Sequence, residues 1–65
     1  MKYRVGDTVR ISKKSHLYGR SDCNPRDADG KIVTVDDEDY TVRVNWDNGT
    51  RQWYHEEDLK LRRRG

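Results

Sequence analysis

The segment from Tyr40 to Trp46 constrains the fold of this chain more than any other, because its residues alternate between apolar and polar. One face of an extended strand would carry Tyr40, Val42, Val44 and Trp46, and the other Thr41, Arg43 and Asn45. Such alternation is typical of a strand with one packed face and one solvated face. Asp47-Asn48-Gly49 follows, and Asn and Gly adopt the positive φ of a tight turn at low cost. The sequence therefore predicts a β-hairpin here.

The length of the hairpin turn decides which ring of the next strand faces the core. A two-residue turn places Val44 opposite Trp53. A three-residue turn with a bulge at Gly49 instead places Val42 opposite Tyr54. A slip of one residue moves every side chain of a strand to the other face. We favour Tyr54 inside and Trp53 outside, with the shorter turn as the alternative.

Five short segments have the β-branched and aromatic character of strands: Thr8–Ser12, Lys31–Val35, Tyr40–Trp46, Thr50–Tyr54 and Leu59–Leu61. One helical turn is predicted at His55–Asp58, before the last strand. Residues 13–29 lack periodicity and are rich in turn-forming residues, which predicts a long first loop. Leu17 and Tyr18 are candidates to hold the middle of this loop against the core. We predict a small barrel over residues 1–61, followed by a basic tail at residues 62–65.

Composition and cysteine content limit the classes of protein to which the chain can belong. With 65 residues the chain makes one domain, and its 31% of hydrophobic residues cluster in the strands. Its one cysteine, Cys23, excludes an internal disulfide, and no apolar run approaches the roughly 20 residues of a membrane span. We expect a cytoplasmic monomer.

Several of these segments carry a family resemblance. Residues 42–49, Tyr54 and residues 58–61 resemble the second half of SH3-like barrels, above all the mind-bomb/HERC-type repeat domain and small SH3-like proteins of phages and prophages. The run Val5–Ile11 is similar to the opening strand that these share with Tudor and KOW domains, and residues 29–33 look like their second strand. The resemblance implies an all-β, five-stranded SH3-like barrel with a long first loop and one helical turn before the last strand.

Residues that could carry catalysis or bind metal are few. Cys23, His16 and His55 are the only soft metal ligands, and their spacing matches no zinc site. A Cys–His pair in a barrel this small would have neither an oxyanion site nor an orienting partner. We therefore expect no catalytic residues, no metal and no cofactor, and a chain that is not an enzyme.

The expected function is recognition of another protein by a small accessory protein, of the phage or prophage type. The resemblance implies a site between the 13–29 loop and the 47–49 hairpin. Candidate partner-binding residues are Tyr18, Arg20, Arg26, Arg43, Arg51 and Trp53. The aromatic side chains would anchor a partner, and the arginines would attract acidic or polar groups. The alternative is single-stranded nucleic-acid or RNA binding, because basic side chains interleaved with rings can form a stacking platform.

Overall fold

Strands form at the five segments that the sequence predicted, with ends that differ by at most two residues. The computed structural model describes residues 2–19 and 28–65, and in that part of the chain the elements are β1 (Thr8–Ile11), β2 (Gly30–Asp36), β3 (Thr41–Trp46), β4 (Arg51–His55), a 3₁₀ turn (Glu56–Asp58) and β5 (Leu59–Arg63). This confirms the predicted all-β class, the five strands and the single turn before the last of them. The described residues include no helix long and apolar enough to cross a membrane.

All five strands belong to one antiparallel sheet with the order β4-β3-β2-β1-β5. The last strand therefore pairs with the first, across most of the length of the chain. Bulges interrupt two of the pairings: Val33 is an extra residue in β2 opposite β3, and Arg62 is an extra residue in β5 opposite Thr8 and Val9 of β1. Bulges increase strand bending and twist, and the result is a small barrel-like fold.

The hydrophobic core consists of the inward side chains of all five strands together with Tyr3: Tyr3, Val9, Ile11, Ile32, Val42, Val44, Trp46, Tyr54 and Leu59. Trp46 and Tyr54 meet edge to face, with ring centroids 5.7 Å apart. The Trp46 Nε1–H also donates a 3.0 Å hydrogen bond to the Tyr54 hydroxyl. The polar atoms of both rings are thus satisfied inside the core, as buried aromatic side chains require.

The hairpin between β3 and β4 has the favoured three-residue turn. Trp46 N–H donates to Thr50 O at 2.8 Å, Gly49 N–H donates to Trp46 O at 2.9 Å, and Gly49 has a φ of 87°. Val42 consequently pairs with Tyr54. The predicted register is confirmed, and the two-residue alternative is excluded.

Gly30, the first residue of β2, allows the sheet to pack closely on its own core. A Cβ built at this position would lie 2.5 Å from Trp46 Cε3 and would also overlap Val44 Cγ1. The side chains of Val44 and Trp46 in β3 thus pack directly against the backbone of Gly30 in β2.

Tyr40 is the clearest departure from the predicted pattern. The alternation predicted its ring on the packed face of β3, but the side chain is 57% exposed and the residue has a φ of 54°. The Asp36 carboxylate accepts N–H groups of the acidic turn, which ends at Tyr40 in the left-handed conformation. That conformation ends the alternation one residue early and directs the ring to solvent.

The C-terminal residues form more regular structure than the sequence predicted. Where a strand ending at Leu61 and a basic tail were expected, β5 continues to Arg63. Arg64 Nη1 and Gly65 N–H then each donate a 3.2 Å hydrogen bond to the Asp7 carboxylate. The carboxylate, only 3% exposed as part of Asp7, requires these donors because an isolated buried charge is costly.

The described half of the predicted long loop has local order. Ser15 N–H bonds to Ser12 O, and Tyr18 N–H bonds to Ser15 O. The Ser15 hydroxyl also donates to the Asp58 carboxylate at 3.0 Å, which ties the loop to the 3₁₀ turn. Leu17 and Tyr18 are half-buried and pack against the core, as predicted.

Candidate recognition surfaces

The outer face of β3 and β4 carries an exposed tryptophan beside basic side chains. Trp53 is 47% exposed, and its direct cross-strand partner is Arg43. Arg51 lies on the same side of β4, opposite Asn45. We call Arg43, Arg51 and Trp53 the Trp53 face. In the described part of the chain neither arginine forms an ion pair within 4 Å.

The hairpin register creates this surface. Tyr54 and its partner Val42 point into the core. Because side chains alternate along a strand, Trp53 and Arg43 must point outward. Val33, the bulge residue of β2, is 39% exposed and precedes Thr34, which pairs with Arg43. It adds apolar area at the edge of the Trp53 face.

The other predicted partner-binding residues are not all on this face. Tyr18 packs against the core, whereas Trp53 lies on the outer side of the sheet. Arg20 and Arg26 lie outside the described residues, as does Cys23. Of the six predicted residues, the structure brings together Arg43, Arg51 and Trp53.

The histidines do not form a metal centre in the described residues. His16 is in the exposed loop and His55 ends β4. No group of three or more His, Cys, Asp or Glu side chains within residues 2–19 and 28–65 is arranged to hold a metal ion.

A second surface, which we call the basic groove, lies along the paired strands β1 and β5 and the residues that follow β1. Its volume is about 490 Å³, and it is lined by Arg10, Ile11, Ser12, Lys13, Lys14, Leu59, Lys60 and Arg62. Arg10 Nε donates a 2.7 Å hydrogen bond to Asp29, and Arg62 Nε is 4.0 Å from the same oxygen. The bond from Arg10 lowers the pKa of the Asp29 carboxyl below its ordinary value, so the carboxylate is charged at neutral pH.

Only part of this groove is predictable from the sequence. The sequence predicted the basic residues from position 62 onward, but Arg10 and Lys60 were not assigned to any surface. Alternation could have placed Arg10 outward, between the buried Val9 and Ile11. That Arg10 lies opposite Lys60 depends on the pairing of β1 with β5, which no local pattern encodes.

Together these features define the class of protein: a small all-β chain with a five-stranded antiparallel sheet, a short turn before the last strand and two charged outer surfaces. No protein-family model matches the chain, and no curated protein matches it. Among solved structures, the NMR structure of Bacillus subtilis protein YorP is similar, with a TM-score of 0.72 and 24% sequence identity. The match covers 100% of this chain and 75% of that protein. At this identity the likeness establishes the fold alone.

Proposed function

We propose that this protein is a non-catalytic recognition module, an SH3-like barrel whose Trp53 face binds a protein segment carrying apolar and acidic side chains. The observation that carries the proposal is the exposure of the Trp53 ring directly opposite Arg43. The other tryptophan, Trp46, is only 3% exposed. One ring therefore stabilises the fold, and the other remains available to a partner.

The chemistry of the Trp53 face suits such a partner. Trp and Arg are the residues most enriched among those that dominate binding energy at protein interfaces. Trp53 offers a large apolar contact at a small cost in side-chain entropy. Arg43 and Arg51 have no carboxylate partners among the described residues. Each guanidinium can therefore form bidentate hydrogen bonds with a carboxylate of a partner.

The resemblance to small phage and prophage proteins suggests the biological setting. An accessory protein of that type would act as a cytoplasmic monomer and would work by binding rather than by catalysis. Single-stranded nucleic acid is the competing ligand for the Trp53 face, because bases can stack on an exposed ring beside arginines.

The proposal is tested by selecting ligands from a random peptide library and measuring their affinity for wild type and for Trp53→Ala. We expect selected peptides to combine acidic and apolar residues and to bind Trp53→Ala about 30-fold more weakly, the effect of losing a hot spot of roughly 2 kcal/mol. Tyr40→Ala is the matched control, because it removes an exposed ring from the acidic turn outside the Trp53 face.

Two results would contradict the proposal. One is peptides that bind the folded Trp53→Ala variant as tightly as wild type. The other is selection of no peptide whose binding depends on Trp53, together with oligonucleotide-induced shifts of the Trp53 indole signal, which would assign the Trp53 face to nucleic acid.

A further inference from the structure

The basic groove concentrates positive charge on one side of the molecule. Among the eight described residues that line it, five are Lys or Arg and none is acidic. Although twelve acidic residues nearly balance fourteen basic ones in the whole chain, the acidic block at residues 36–39 lies at the other end of β2 from Asp29. The net charge of the whole chain is therefore small, although the surface of the groove is strongly basic.

Most of this charge is not neutralised within the described residues. Asp29 pairs with Arg10 and approaches Arg62, and Asp58 is engaged by the Ser15 hydroxyl. The side chains of Lys13, Lys14 and Lys60 have no carboxylate within 4 Å in the described part of the chain. Like charges gathered in this way repel one another, and an anion bound among them would relieve the repulsion.

The cations follow the direction of the strands. Arg10 of β1 lies directly opposite Lys60 of β5. Arg62 lies two residues further along β5, while Lys13 and Lys14 continue beyond the end of β1. A track of this kind matches a ligand with anions at regular intervals along its length. A nucleic-acid strand carries one phosphate at every nucleotide, whereas most peptides carry carboxylates irregularly.

We propose that the basic groove binds the phosphodiester backbone of single-stranded nucleic acid. Its volume of about 490 Å³ lies within the roughly 300–1,000 Å³ of clefts that accept a small organic molecule, a size suited to nucleotides of one strand. None of the described residues that line the groove is aromatic, so these residues hold the backbone of a strand and do not stack on its bases. Phosphate contacts position a strand without reading its sequence, and binding is therefore independent of sequence.

This site is separate from the Trp53 face. In the sheet order, β4 and β5 are the first and last strands, so the tryptophan and the basic groove belong to opposite edges of the sheet. A protein partner on the Trp53 face and a nucleic-acid strand in the groove would not compete for the same residues.

The test is fluorescence anisotropy of a labelled mixed-sequence single-stranded oligonucleotide, titrated with the protein at several salt concentrations. If four phosphates are neutralised, affinity falls about 50-fold between roughly 50 and 200 mM salt, since the slope is about −0.7 per phosphate. Lys60→Gln should weaken binding and reduce the slope by about 0.7, and Lys13→Gln with Lys14→Gln by about 1.4.

Charge-matched controls distinguish the groove from net charge. Lys2→Gln, alone or with Arg4→Gln, removes the same charges from exposed positions near Arg64, beyond the other end of β5. These controls should keep the wild-type slope. All five substituted side chains are exposed, and unchanged thermal melting verifies that each variant is folded.

Four outcomes would overturn the proposal: no measurable binding at low salt, an equal loss of affinity in the controls, tighter binding of a duplex than of the single strand, or equal binding of polyglutamate. The last would assign the groove to acidic proteins. A fifth result, amide shifts centred on Trp53 rather than on Lys13, Lys14 and Lys60, would also contradict it.

Discussion

At the scale of single residues, Asp7 shows how one buried carboxylate joins both ends of the described fold. Its Oδ2 accepts the Arg4 N–H at 3.0 Å, and its two oxygens also accept donors from Arg64 and Gly65. Burial by itself would raise the pKa of Asp7. The hydrogen bonds from the Arg4 and Gly65 backbones, with the charge of Arg64, outweigh burial and lower the pKa below its ordinary value.

The pKa of Asp7 gives its contribution to stability a defined pH dependence. Because the pKa is lower in the folded protein than in the unfolded chain, the contribution is fully present above the unfolded value of about 3.9. It is lost as the pH falls through the folded value. We predict that Asp7→Asn lowers the free energy of unfolding by about 1–3 kcal/mol at neutral pH, because the amide removes the charge and replaces one acceptor oxygen by an NH2 group that faces the existing N–H donors.

Urea unfolding between pH 7 and pH 2.5 measures both effects. The difference in stability between wild type and Asp7→Asn should shrink in the acid range, where the wild-type carboxylate becomes protonated. A difference that stays constant down to the lowest pH would show that the charge of Asp7 does not matter for stability.

At the scale of the elements, the hairpin was predictable and the ends of the strands were less so. The β3 alternation predicted the packed face of that strand and Asp47-Asn48-Gly49 predicted the turn, because both signals lie within a few residues, but two turn lengths stayed open. Tyr40 was misplaced because the conformation of the acidic turn, rather than alternation, sets its direction. The burial of Tyr3 was not predicted, because it depends on a hydrogen bond from its hydroxyl to Leu59 O, a partner 56 residues away.

Two glycines with different roles provide a prediction at this scale. Gly30→Ala should cost about 3 kcal/mol, since the new Cβ would overlap Val44 and Trp46. Gly49→Ala should cost only about 1 kcal/mol, because a Cβ there meets nothing within 4 Å and only the positive φ is unfavourable. Thermal or urea unfolding of both variants measures the difference. Equal costs, or the reverse order, would contradict the close packing of β2 on Trp46.

At the scale of the whole molecule, stability is modest because a chain of 65 residues buries a small core. A domain of this size is stable by roughly 3–10 kcal/mol. Long-range contacts, such as the pairing of β1 with β5 and the bonds from Asp7 to Arg64 and Gly65, complete the fold. These contacts have no local sequence signal, which explains why the predicted site included the Trp53 face but not the full basic groove.

The two tryptophans should respond in opposite ways to truncation. Trp46→Ala removes a buried ring and should cost about 3–5 kcal/mol, enough to unfold much of the population. Trp53→Ala should cost about 1 kcal/mol, because its ring is half-exposed. Circular dichroism melting compares them, and an unchanged midpoint for Trp46→Ala would reject its place in the core.

Hydrogen exchange of the two indole N–H groups, followed by NMR, tests most directly that Trp46 lies in the core and that Trp53 lies on the outer face. The Trp46 indole, which is buried and bonded to the Tyr54 hydroxyl, should exchange only when the whole domain unfolds. The Trp53 indole has no hydrogen-bond partner in the described residues and should exchange close to the rate of a free indole. Strong protection of Trp53, or rapid exchange of Trp46, would mean that the hairpin has the alternative register. The Trp53 side chain would then face the core, and the Trp53 face would not exist.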